Sequence, residues 1–266
     1  MIKIDSTAYI DPKAEIEEEV EIGKGVYIGP KVYIGKGTII KPYSYIEANT
    51  KIGKYNQIGP FAVIGTPPQH LGYKGEETYV EIGDYNIIRE FVTIHRGTTY
   101  DKEITKIGNY CLIMSYSHIA HDCKVGNYVV MANNATLGGH VVLGDRVVLG
   151  GFAAVHQYCR VGSYAFVGAM SGVDKDVPPY VKVFGVPAKI QGINLIGLRR
   201  AGFDREEIRK ISQALGIFLD GPATLKEVIQ ELKDIYGLDP VIKEIISFLE
   251  NPSKQGIMRR KPFEGD

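Results

Sequence analysis

Aliphatic residues recur along the first two thirds of the chain at a fixed step of six. Ile4, Ile10, Ile16, Ile22, Ile28, Ile34, Ile40, Ile46, Ile52, Ile58 and Ile64 fill consecutive sixth positions without exception. The step resumes at Ile82, Ile88 and Ile94. It resumes again, one residue out of phase, at Ile107, Ile113, Ile119, Val125, Met131, Leu137, Leu143, Leu149, Val155, Val161, Val167 and Val173. Six residues suit neither a helical stripe nor simple strand alternation. They suit a short flat strand plus a turn, with one aliphatic side chain inward per side. Three sides close a triangular coil, and coils stack at about 4.8 Å. The pattern therefore predicts a solenoid of about 26 hexads, between eight and nine coils and roughly 40 Å long. Gly often follows the inward residue, as in Ile22-Gly23, Ile28-Gly29 and Ile52-Gly53, where a corner needs a positive φ or no Cβ. The strands of a β-sandwich vary in length and would not hold this phase.

Two breaks interrupt the pattern. GTPPQHLGYKGEETYVE (65–81) places His70 and Glu76 at phase positions and reads as a loop expelled from the prism. HRGTTYDKEITK (95–106) is polar and shifts the phase by one residue. Loops leaving a rigid scaffold are common places for function. The repeats end near Val173, and a Pro-rich stretch follows. The expected division is a β-solenoid over residues 1–190 and an α-helical domain over 191–266. Phe203, Ile208, Ile211, Leu215 and Phe218 fall on one helical face. Asp204/Glu207 and Thr224/Glu227 have capping-box spacing, and Asp239-Pro240 suits a helix start, so three or four short helices run to about Glu250. The tail beyond it, with Arg259, Arg260 and Lys261, reads as a loose, solvated terminus.

Lys+Arg and Asp+Glu are both 31, which argues against a nucleic-acid partner. No apolar run approaches the ~20 residues of a membrane span, and the N-terminus lacks a signal-peptide pattern. Cys111, Cys123 and Cys159 are odd in number and lack metal spacing. They read as buried thiols of a cytoplasmic protein.

All six histidines, His70, His95, His118, His121, His140 and His156, crowd between positions 70 and 156. A polar site on the outside of the middle coils is implied. A metal site of the zinc carbonic anhydrase kind would want a His-x4-His pair. Here His118 and His121 are three apart and no two histidines are five apart, so no metal is expected. Acid–base catalysis fits better. A neutral imidazole accepts a proton near pH 7, and a carboxylate beside it fixes its tautomer and stabilises the imidazolium. His121-Asp122 supplies both groups, although neighbours on a strand would face opposite ways.

The motifs IHRGT (94–98), HIAHDC (118–123), NNATLGGHV (133–141), AVHQ (154–157) and SGVDKDVPPYV (171–181) resemble, in order and spacing, the UDP-N-acetylglucosamine O-acyltransferases of lipid A biosynthesis, within the hexapeptide-repeat transferases. The resemblance covers essentially the whole chain. It implies a left-handed parallel β-helix, a hand that the period does not show and the usual crossover rule opposes. It also implies a homotrimer with sites between subunits. The implied reaction passes an (R)-3-hydroxyacyl chain from acyl carrier protein to the glucosamine 3-position of the nucleotide sugar, without metal or cofactor. On this resemblance His121 is the general base and the amide of Gly139 the donor to the carbonyl oxygen; Asp122 is the candidate partner by its position beside His121 alone. Gln69, His70, His95, His118, His140 and His156 line the site. Gln157, Asn194 and Arg200 bind the nucleotide, an Arg being apt for a diphosphate.

Three departures qualify the likeness. The family often reads PQDLKY where this chain has Pro68-Gln69-His70-Leu71-Gly72-Tyr73, so a carboxylate near the acceptor is replaced by His70. We expect an altered acceptor preference, toward the 3-amino analogue that some relatives use. Ala169 stands where some members have a Gly that leaves room for a long acyl chain, and a somewhat shorter chain is expected. Ile196 and Ala201 replace an acidic residue and a second Arg, leaving fewer charged contacts to the nucleotide. Two other readings remain. One is an acetyltransferase using acetyl-CoA and a small sugar, and the other a non-catalytic β-helical scaffold.

Overall fold

The computed structural model describes residues 2–221 and 224–260. Every hexad forms a strand, most of them two residues long, and successive strands lie on successive faces of a three-sided prism. The first face holds eleven strands, the second nine and the third eight. Pairing is parallel, with partners one coil apart: Ile4 opposes Ile22, Ile28 opposes Ile46, and Ile16 opposes Ile34. The aliphatic residues from Ile28 onward form the dry interior, and Ile28, Ile34, Ile46, Ile52 and Ile58 are fully buried. Residues 65–81 and 95–106 account for the phase. Ile40 opposes Ile58, 18 residues on. Ile58 then opposes Ile88 and Ile88 opposes Ile113, steps of 30 and 25. The first loop inserts two whole hexads and keeps the phase; the second inserts one hexad plus one residue.

A second inward position lies two residues before each aliphatic one, at the corner itself. Val20, Val26, Val32, Ala62, Cys111, Cys123, Val129, Ala135 and Cys159 occupy it, all buried. The three cysteines are free thiols packed in these corners, with no disulfide among the described residues. Burial pushes Cys111 up to about 11 and Cys123 and Cys159 to about 12, so all three are neutral at pH 7. Polar residues at the same position are bonded in series along the prism. Asn56 Oδ1 accepts the amide of Asn86 (2.9 Å) and Asn86 Oδ1 accepts that of Cys111 (2.7 Å).

Most corners also hold a left-handed residue three positions after the inward one. These are seldom glycines: Tyr43, Tyr55, Phe61, Tyr85, Phe91, Tyr110, Tyr116 and Tyr128 all have φ between 54° and 63°. Their rings stack along the corners, Tyr85–Tyr110 and Tyr110–Tyr128 at 5.0 and 4.9 Å, which offsets the backbone cost. The glycine after the inward residue therefore serves chiefly by its missing Cβ. A Cβ on Gly29 would lie 1.5 Å from the Glu47 carbonyl oxygen of the next coil.

An antiparallel pair, Val181–Phe184 with Lys189–Ile193, closes the first face. Four helices follow: α1 (Leu195–Arg200), α2 (Arg205–Asp220), α3 (Leu225–Tyr236) and α4 (Pro240–Glu250). Both expected capping boxes form, and Asp239 caps α4 with Pro240 in its first turn. The segment after α4 is not a loose terminus. Ile257 bridges to Asp176, Met258 is buried, and Arg260 pairs with Asp220 at 3.1 Å. The backbone polar groups at the open end of the last coil supply the reason, since they need partners. Lys261 lies outside the described residues.

Candidate active site

Strands Thr93–His95, His118–Ile119, Thr136–Leu137 and Ala154–Val155 are neighbours on the second face. The corner after them stacks His121, Gly139 and Gln157, one per coil. A cleft of about 430 Å³ runs along this edge, lined among others by Gln69, His95, His118, His121, Gly139 and His156. Gln69 brings the first expelled loop to its lining.

His121 and Asp122 are both nearly buried, and His121 Nδ1 lies 2.8 Å from Asp122 Oδ2. The strand rule that would part them does not apply, because Asp122 holds a left-handed corner position (φ 61°) and its carboxylate turns back to the preceding ring. Thr98 in the second loop fixes that carboxylate, its amide donating to Oδ1 (2.8 Å) and its hydroxyl to Oδ2 (2.6 Å). The hydroxyl of Thr105 receives the Asp122 amide at 2.9 Å. Burial would raise the Asp122 pKa. The hydrogen bonds from His121 and Thr98 outweigh it, and the carboxyl is held below the usual carboxylate range. With Nδ1 directed to Asp122, His121 keeps Nε2 for another partner.

Gly139 sits against that side of the ring. A Cβ there would fall 2.6 Å from His121 Cε1 and 2.8 Å from Nε2, so only glycine fits. The Gly139 amide has no hydrogen-bond partner among the described residues, while those of Gly138 and His140 are used by Val155 and His121 carbonyls. His140 packs edge-on to His121 at 5.2 Å, stacks on Tyr158 at 4.5 Å and meets Asp101 at 3.2 Å. His121, Asp122 and His140 lie close enough together to share a cation. Asp122 Oδ2, however, is already engaged by Thr98 and His121.

His118 is hydrogen-bonded to Thr93 (2.7 Å), and His95 to the Pro67 carbonyl (2.7 Å). Burial and the neighbouring rings of His95 and His121 bring His118 down to about 4, and burial also lowers His95. Both are neutral near pH 7. In the first loop, His70 lies 5.3 Å from His121 and 5.1 Å from Tyr100, and its Nδ1 receives the Gly72 amide at 3.1 Å. The loop is pinned by buried Arg96, which donates to the Gly65 carbonyl (3.0 Å) and the Tyr73 hydroxyl (3.1 Å).

Asn194 and Arg200 are elsewhere. They line a cleft of about 760 Å³ against the first face, with Arg146, Lys182 and Arg199. The two clefts share no lining residue. Ala169 is exposed at the corner between the first and second faces. Thr98, Thr105, Asp101, Tyr158 and Arg96 carried no signal as site residues by type. Only their place in or against the expelled loops and histidine corner marks them.

A family model described as "Udp N-acetylglucosamine O-acyltransferase; Domain 2" matches residues 176–258, and one for bacterial transferase hexapeptides matches 31–66 and 104–139. An acyl-[acyl-carrier-protein]–UDP-N-acetylglucosamine O-acyltransferase of Halorhodospira halophila is 47% identical over 170 residues, 64% of this chain and 66% of that relative. The matched region thus spans about two thirds of that relative's length. The solved UDP-N-acetylglucosamine O-acyltransferase of Moraxella catarrhalis superposes with a TM-score of 0.93 at 42% identity, over 96% of this chain and 99% of that one. The Arabidopsis UDP-N-acetylglucosamine acyltransferase does so with 0.79 at 36%, over 92% and 94%. Fold and matches define a hexapeptide-repeat acyltransferase built on a left-handed parallel β-helix. Within that class the chain belongs to the UDP-N-acetylglucosamine O-acyltransferase family.

Proposed function

We propose that this chain catalyses the first step of lipid A biosynthesis, moving an (R)-3-hydroxyacyl group from acyl carrier protein to the 3-position of UDP-N-acetylglucosamine or its 3-amino analogue. His121 Nε2 takes the proton of the attacking hydroxyl or amine as the new bond forms at the thioester carbon. Asp122 holds the tautomer and stabilises the imidazolium. The Gly139 amide receives the developing oxyanion. Collapse expels the carrier thiolate, which takes the proton back from His121. The thioester is already activated, so no metal or cofactor enters.

Support comes from one observation above the rest: a buried His121–Asp122 pair faces a glycine with an unpaired amide, in an open cleft. His118, His140, His156 and Gln157 shape that cleft, and Gln69 and His70 stand over the acceptor. Asn194 and Arg200, being in another cleft of the same chain, reach the nucleotide of a neighbouring subunit in a homotrimer. Ala169 limits the acyl chain. Acyl carrier protein is acidic, so local cationic patches guide it although net charge is zero. The buried free thiols favour the cytoplasm. No helix among the described residues is long and apolar enough to cross a membrane.

The test offers (R)-3-hydroxyacyl carrier proteins of several lengths with both sugars in competition, products being read by mass spectrometry. Transfer to either sugar, lost in His121→Ala, is expected. His70→Asp should shift the ester-to-amide ratio. No transfer at any chain length would overturn the reading.

A further inference from the structure

The first expelled loop reaches the site with few attachments to the rest of the chain. Gln69, His70 and Leu71 are all exposed, so burial in the core does not hold its tip. Between Pro68 and Glu76 the described residues make two hydrogen bonds outside the loop. Arg96 Nη2 donates to the Tyr73 hydroxyl at 3.1 Å, and the Tyr100 hydroxyl meets the Gly72 carbonyl at the longer distance of 3.5 Å. The remaining bonds of this stretch are internal. The Tyr73 amide donates to the His70 carbonyl (3.0 Å), and the Gly72 amide to His70 Nδ1 (3.1 Å). His70 is thus tied to Tyr73, and Tyr73 to Arg96.

Arg96 is itself firmly placed. It is buried, and its Nη1 donates at 3.0 Å to the carbonyl of Gly65, where the first loop leaves the prism. Its backbone amide donates to the Thr66 carbonyl at 3.0 Å. One residue therefore grips the loop at its root and again at Tyr73, using the planar fork of a guanidinium to reach both. A guanidinium cannot accept a hydrogen bond and a carbonyl cannot donate one. The Tyr73 hydroxyl stands between Arg96 and the Glu76 carbonyl (2.7 Å), so it accepts from the first and donates to the second. Tyr73→Phe would keep the ring and lose both bonds.

We propose that Tyr73, held by Arg96, is a positioning residue of the acyltransferase site: its hydroxyl fixes the first loop in the conformation that sets Gln69 and His70 over the sugar acceptor. The proposal rests on the acyl-transfer reading above for the identity of that ligand.

Hydrogen–deuterium exchange reads the loop directly. In Tyr73→Phe, peptides covering residues 65–81 should exchange faster, with the Gly72 and Tyr73 amides losing protection. The coils on either side should exchange as in the parent, and Tm should stay put, because the ladders of the prism are untouched. Calorimetry should show UDP-N-acetylglucosamine binding weakened by about tenfold, the worth of one hydrogen bond to a charged group. Steady-state kinetics should place the loss in the KM of the sugar, with kcat near the parent value. The ester-to-amide ratio should move to that of His70→Ala. A double-mutant cycle separates positioning from direct contact. Added to the paired variant Gln69→Ala/His70→Ala, Tyr73→Phe should weaken sugar binding by no more than about twofold further. Unchanged loop exchange, an additive cycle, or a fall in kcat with KM unmoved would overturn the proposal. Failure of the acyl-transfer reading shows separately, as a parent protein that turns nothing over although its loop exchange still depends on Tyr73.

Discussion

A single backbone angle makes the proposed catalytic pair. Asp122 has φ 61°, and that conformation lets adjacent side chains meet at 2.8 Å where an extended strand would point them apart. The second loop then orients the carboxylate through Thr98, so the polar break in the repeat supports the proposed base. Asp122→Asn keeps the shape and can still accept the Thr98 amide, but it cannot stabilise an imidazolium. We expect kcat to fall by about a hundredfold or more with little change in KM, measured with saturating acyl carrier substrate. His118 carries a pH prediction. Its folded pKa is near 4 against 6.5 for an unperturbed ring, so the unfolded chain binds the extra proton between those values. Its contribution to stability is therefore complete above about 6.5 and is lost as pH falls toward 4. His95 acts in the same direction. Urea unfolding at pH 7 and pH 5 should show a loss that shrinks in His118→Gln; an equal loss in both proteins would remove His118 as the cause.

At the scale of elements, the prism depends on polar residues at corners as much as on its aliphatic stacks. Asn86 is fully buried and joins three coils: its amide donates to Asn56, its side chain donates to the Gly108 carbonyl (3.0 Å) and accepts the Cys111 amide. Asn86→Ala strands the Cys111 amide and the Gly108 carbonyl in the interior. At roughly 1–3 kcal/mol for each orphaned group, it should cost several kcal/mol in thermal or denaturant unfolding, far more than Ile→Val on the inward stack at about 1 kcal/mol. Much of this architecture is legible from the period, because one inward aliphatic per six residues admits few closures. Ile64, Ile82 and Ile107 even reveal that the first loop keeps the phase and the second shifts it. The helices are legible from Asp204/Glu207 and Thr224/Glu227. The second inward position is not, because Val, Ala, Cys, Ser, Thr and Asn share it and only small size unites them. The site is half legible: crowding of histidines marks the region, but Thr98 and Arg96 are ordinary polar residues whose roles come from the second loop folding onto the prism. The basic tail misleads because Met258 and Asp176 are 82 residues apart and nothing local announces their contact.

The molecule as a whole is longer than its site, and its two clefts divide the proposed chemistry. The proposed base and oxyanion donor lie at the corner after the second face, whereas Asn194 and Arg200 lie against the first, beside α1. One rigid prism cannot bring these faces together, because coils stacked through parallel ladders do not fold back on themselves. A threefold arrangement can, since the first face of one prism then meets the second face of the next and each interface completes a site. The geometry gives a complementation test. His121→Ala removes the base but keeps Arg200, and Arg200→Ala does the reverse, so each homo-oligomer should be nearly inactive. When the two chains are co-expressed in equal amounts, a site between subunits is intact when its base comes from one variant and its arginine from the other. Random assembly makes that about a quarter of sites, and about a quarter of parental activity should return in the mixed oligomers. Sites completed within one chain would recover nothing, because every chain carries one of the two defects. Mixing the purified proteins without exchange of subunits should also recover nothing, which separates shared sites from simple addition of two weak enzymes.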